Sequence, residues 1–71
     1  MDEKLKLYEK ANFYLNENIS VHIIKKGGWF HNGMIVKVND NMLVIIDEKT
    51  GATPLFFDDI ADIRNREAPI K

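Results

Sequence analysis

"GMIVKVNDNMLVIID", residues 33–47, reads as strand, turn and strand. A β-rich run from about Trp29 to Val38 stops at Asn39-Asp40-Asn41, residues that tolerate positive φ and bond their own backbone. Beyond that turn, "MLVIIDEK" is a third strand, and its unbroken apolar stretch points to burial on both faces. Gly33 stands mid-strand, where a short sheet would bend on itself.

Upstream lies "KKGGWFHNG", residues 25–33, with two lysines, a tryptophan, a phenylalanine and a histidine among three glycines. As a phosphate loop it lacks both P-loop spacing and a following helix whose N-terminus would hold an anion. Gly27-Gly28 reads instead as a hairpin turn after a first strand carrying Val21, Ile23 and Ile24. Two registers are open. A two-residue turn sets His22 against Gly33 and His31 against Ile24, with both histidines on one face. A one-residue bulge separates the histidines and brings Ile35 onto the face of Val21 and Ile23. Trp29 and Phe30 flank the turn, where each could stack a base or simply cover the sheet end.

Further out, the apolar period changes. Leu7, Tyr8, Ala11, Tyr14 and Leu15 recur three and four apart, one stripe of a helix over about 3–17. Asp2 is its expected cap, Glu3 suits the positive end of the dipole, and Asn16-Glu17-Asn18 is the stop. On the other side Thr50-Gly51 turns, "ATPLFF" is a fourth strand, Asp58-Asp59 is a one-turn link, and "IADIR" is a fifth. Pro54 places the fourth strand on an edge. The expected fold is one domain over 1–71: an N-terminal helix, five antiparallel strands over about 19–65, and a frayed tail at 66–71. It is mainly β, a strongly bent sheet forming a small open, SH3-like β-barrel.

Composition narrows the function. A 71-residue chain without cysteine has neither a disulfide nor a thiolate zinc site. A domain this small buries only about 60% of its unfolded surface, which favours assembly with a partner subunit. Ten basic and eleven acidic residues, for a net charge of −1, give no strong electrostatic footprint. The longest apolar run, Met42 to Ile46, is far too short for a bilayer, and the N-terminus has no signal-peptide core. A soluble cytoplasmic protein is expected. Ser20 is near His22 only in sequence, and neighbours in a strand face opposite ways. His22 and His31 lack a third metal ligand on one face. Asp47-Glu48 and Asp58-Asp59 read as solvated turn pairs. No catalytic residue, metal site or cofactor is expected, so the chain is not read as an enzyme.

Helix plus five strands with these turn lengths resembles the Sm and Sm-like (LSm) proteins, the bacterial Hfq-like proteins among them. The likeness covers roughly Leu5 to Arg64. Gly33, Ile35, Val38, Asn39 and Met42 fall on the spacing of that family's first motif, and Leu55 through Ile60 align with its second. The apolar spacing so matched favours the one-residue bulge at Gly27-Gly28. The resemblance implies a homo-oligomeric ring in which the fourth strand pairs with the fifth strand of the next subunit. Leu55, Phe56, Phe57, Ile60 and Ile63 are then the candidate interface, with an outward phenylalanine as filler.

It also implies RNA as a partner, but the family's base-holding positions are occupied here by Asn41, Leu43 and Phe56. Asp58, Asp59 and Asp62 add charge that opposes a phosphate backbone. RNA contacts are therefore expected from Lys25, Lys26, Trp29 and Lys49, with Asn39, Asn41 and Phe56 as candidates at the family's own place. The alternatives are an Sm-type structural or protein-interaction ring without RNA, and a monomeric SH3-like adaptor that binds peptide.

Overall fold

The computed structural model describes residues 3–66, so the Asp2 cap and the expected tail beyond Arg66 lie outside the described residues. The order is α1 (Glu3–Glu17), β1 (Ser20–Lys25), β2 (Phe30–Val38), β3 (Met42–Asp47), β4 (Gly51–Phe56), a 3-10 turn at Phe57–Asp59, and β5 (Ile60–Asn65). Glu48 to Thr50 form the turn before β4, so the third strand stops short of the "EK" end expected for it. Arg66, expected to begin the frayed tail, still donates its backbone N–H to Ser20 O at 3.0 Å.

The helix ends where its composition says it should. Asn18 takes φ 55°, a left-handed conformation that asparagine accepts more readily than most residues. Its N–H reaches Leu15 O at 3.3 Å and that of Ile19 reaches Tyr14 O at 3.1 Å, the paired bonds of a Schellman stop. The chain then reverses into β1. Leu7 and Ala11 are buried, while Tyr8, Tyr14 and Leu15 pack beside them on the core. α1 lies on β2, β5 and the 3-10 turn, and Lys10 Nζ ties it to Asp62 of β5 at 2.8 Å. Leu7→Ala should cost about 2–5 kcal/mol in chemical denaturation, and Leu15→Ala, at a half-buried position, the lower end of that range or less.

The five antiparallel strands run in the order β4-β3-β2-β1-β5. Among the described residues β4 and β5 each pair on one side only, so the sheet curls without closing into a barrel. β1 meets β2 with Val21 opposite Gly33 and Ile23 opposite His31. That is the bulged register: Lys25 N–H bonds Trp29 O at 2.7 Å, and Lys26, Gly27 and Gly28 are left as the loop. Gly27 and Gly28 take φ of 139° and 96°, which side chains resist. His22, opposite Asn32, falls on the outer face, and His31 on the inner one.

Gly33 makes the bend. A Cβ there would lie 1.9 Å from Ile46 O and 2.8 Å from Ile46 C, so β2 and β3 approach this closely only without a side chain. A second irregularity between Ile35 and Lys37 makes Val36 an extra residue in the ladder and leaves it exposed.

The core contains Leu7, Ala11, Val21, Ile23, Ile35, Leu43, Ile45, Leu55, Phe57, Ile60 and Ile63. This corrects the expectation that β3 is buried on both faces. Leu43 and Ile45 are fully buried, but Val44 is half-buried and Ile46 exposed. The core lies on the inner face of the sheet alone.

Candidate functional site

Asp47, read from sequence as one of a solvated turn pair, is 8% exposed. It closes β3 on the inner face, opposite Gly33 and diagonal to His31. Its Oδ1 accepts the N–H of Lys49 at 2.6 Å and of Thr50 at 3.1 Å, and its Oδ2 lies 2.7 Å from His31 Nδ1. A carboxylate followed by two turn residues was the available signal, since aspartate caps turns by accepting from the backbone just beyond it. The histidine partner depended on register and was not visible locally. Among the described residues, no buried side-chain nitrogen or oxygen is left without a partner.

These bonds acidify Asp47. Its pKa falls from 3.8 to about 2, chiefly through the Lys49 N–H and next through His31. A group more acidic in the folded than in the unfolded chain contributes its stability above the unfolded value and loses it as pH falls through the folded one. Stability should therefore decline from about pH 4 down to about pH 2, as unfolded Asp47 takes up protons first. The gap in stability between the native protein and Asp47→Asn should be widest above pH 4 and narrow over that window, as read by urea titrations at each pH. Asp62 is also acidified: burial would raise its pKa, but hydrogen bonds from Lys10, Arg64 and the Ile63 N–H outweigh it.

The Asp47 clamp shapes a cleft of about 470 Å³. Gly28, Trp29 and Phe30 around the β1–β2 turn, Asp47, Glu48 and Lys49 around the β3–β4 turn, and Asn32 of β2 line it. Trp29 is 75% exposed and Phe30 57%. Phe30 rests against His22, ring centroids 5.1 Å apart, and His22 Nδ1 lies 2.6 Å from Asn32 Oδ1. Trp29 and Lys49 are thus brought together as the sequence suggested. Lys26 is not part of that cleft: it shares another with Glu3, Lys4 and Asp58 beside the 3-10 turn, where its N–H bonds Asp59 O at 2.8 Å. Lys25 is half-buried at the end of β1.

The residues at the resemblance's other site are differently engaged. Asn39 Oδ1 accepts from the N–H groups of Asn41 and Met42, both at 2.9 Å, so Asn39 holds its own turn. Asn41 Oδ1 accepts from Lys4 Nζ at 3.2 Å, and its carbonyl takes the Phe57 N–H. Leu43 is wholly buried and faces Leu55. Phe56 is 53% exposed and pairs with Met42 on the outer face. Of the five interface candidates only Phe56 is exposed; Leu55, Phe57, Ile60 and Ile63 are core residues of their own subunit. Their side chains are packed inside, which leaves only their backbone for a contact between copies. The outward phenylalanine expected from the sequence is Phe56, while Phe57 faces in.

Among the described residues no cluster of three or more histidine, cysteine or acidic side chains could hold a metal ion, and no helix is long and apolar enough to cross a membrane. The sequence matches no protein-family model and no curated protein. The structure is similar to the crystal structure of the pleiotropic translational regulator Hfq, with a TM-score of 0.71 over 79% of this chain and 92% of that one, at 9% identity. Helix, strand order and the unclosed sheet make this an Sm-like fold.

Proposed function

We propose that this chain forms a cytoplasmic, non-enzymatic homo-oligomeric ring that serves as an RNA-binding scaffold or chaperone through a non-standard surface. The ring reading is supported by β4 and β5, which among the described residues each pair on one side only, on an Sm-like frame. Antiparallel pairing of one copy's β4 with the next copy's β5 would satisfy both edges and protect them from indiscriminate pairing. Phe56, exposed on β4, is the side chain placed to pack across that junction.

The RNA reading is carried by one observation: Trp29 stands 75% exposed at a cleft that Lys49 also lines. An exposed indole supplies a stacking face worth about 1–3 kcal/mol per base. Likeness to a translational regulator supports it further. Asn41 and Phe56 lie outside the Trp29 cleft, Leu43 is buried, and Asp58 and Asp59 are exposed, so uridine selection at the family's place is not part of the reading. An Sm-fold interaction ring without RNA is the second reading, favoured by the acidic surface at Asp58 and Asp59.

Two measurements test this. Light scattering at micromolar concentration should give a mass several times that of the monomer, and a monomer mass would end the ring reading. Short RNAs should bind weakly and more weakly still at higher salt. Trp29→Ala and Lys49→Ala should each reduce that binding, and Lys25→Ala/Lys26→Ala should act mainly through its salt dependence. Absence of binding to every RNA tried would leave the interaction ring.

A further inference from the structure

The cleft between the two turns contains more than a stacking face. Glu48 and Lys49 are consecutive, and both have their backbone fixed. The Glu48 N–H bonds Asn32 O at 3.1 Å and the Lys49 N–H bonds Asp47 Oδ1 at 2.6 Å. A carboxylate and an ammonium are therefore carried by adjacent residues of a fixed turn that lines the same cleft as Trp29. Asp47 cannot compete as the acceptor, because its oxygens are engaged by His31, Lys49 and Thr50. Glu48 Oε2 meets Arg66 Nη1, but a carboxylate has about four acceptor positions, which leaves room for two further donors. With both signs present, the cleft suits a neutral heterocycle better than a phosphate.

We infer that this cleft selects guanine, with Trp29 stacking on the base, Glu48 accepting its N1–H and N2 amino group, and Lys49 donating to O6. The inference rests on the RNA-binding reading above and names the base that reading would favour. Guanine presents an acceptor and two adjacent donors along its pairing edge, the complement of an ammonium beside a carboxylate. Uracil offers one donor between two acceptors, while adenine and cytosine each offer an amino donor beside a ring acceptor. None of the three gives a carboxylate two parallel donors. Preorganisation of the turn matters because little ordering remains to be done on binding.

The test is quenching of Trp29, the chain's one tryptophan, by GMP, AMP, CMP and UMP, repeated with hexanucleotides differing only in a central base. GMP and the central-G hexamer should bind about tenfold or more tighter than the others, the range expected for one good bidentate contact. Glu48→Gln should erase that preference while leaving the weak binding common to all four bases. Because Glu48→Gln also breaks the contact with Arg66, Arg66→Ala is the control and should keep the preference. Equal affinity for all four bases, or a preference that survives Glu48→Gln, would overturn the inference and leave the RNA reading standing. No binding of any nucleotide or hexamer would overturn both.

Discussion

Gly33→Ala should abolish cooperative folding, or cost more than about 3 kcal/mol, the upper end of what overpacking usually costs. The added methyl carbon would lie 1.9 Å from Ile46 O. The obstacle is backbone, so no side-chain rotation relieves it; β2 and β3 would have to part. That would break the ladder on which Met34, Ile35 and their partners in β3 depend. Gly51→Asn is the contrast: Gly51 has φ 80° and nothing near its missing Cβ. Asparagine visits that conformation, so the change should cost no more than about 1–2 kcal/mol. Urea midpoints for the two variants should differ widely at unchanged slope, or Gly33→Ala should show no transition at all.

Phe57→Ala should cost about 3–5 kcal/mol, whereas Phe56→Ala should barely alter the stability of an isolated subunit. Phe57 is 1% exposed and meets Tyr8 edge-on, centroids 6.2 Å apart, so its ring joins the 3-10 turn to the helix. Phe56 faces solvent beside Met42. If the ring forms as proposed, the deficit of Phe56→Ala should grow with protein concentration, because association stabilises by mass action. The deficit of Phe57→Ala should not depend on concentration. Exchanged outcomes would mean that the strand registers differ from those described.

Much of this was legible in the chain because local rules agreed with each other. The helical stripe, the Asn18 stop and the glycine pair were each signalled by residues within a few positions; the bulged register was favoured by the apolar spacing of the family resemblance. Two things were not. Val44 and Ile46 are as apolar as Leu43 and Ile45, so nothing in β3 says that only one face is covered; that depends on the side towards which the whole sheet curls. Nor does anything near Leu55, Phe57, Ile60 or Ile63 distinguish a core residue from one between copies, since both environments select the same side chains. Asp47 was misjudged for a related reason. Its turn bonds are local, but its burial comes from the approach of β2, fixed by Gly33 fourteen residues earlier.

The Lys26-Gly27-Gly28 loop makes the chain asymmetric towards changes of length. Deleting either glycine would leave Lys26 and one glycine to turn between Lys25 and Trp29, and a two-residue hairpin turn requires positive φ at its first residue, here Lys26. Relief of that strain by a one-residue slip would take His31 off the inner face and Gly33 from its crossing with β3, since such a slip inverts every side chain of a strand. Lengthening is different. β2 is held from its other side by β3, so extra residues can bulge outward, and doubling the loop costs only about 0.6 kcal/mol in closure entropy. A tag or reporter inserted after Gly27 should therefore be accommodated at a site where a single deletion is not.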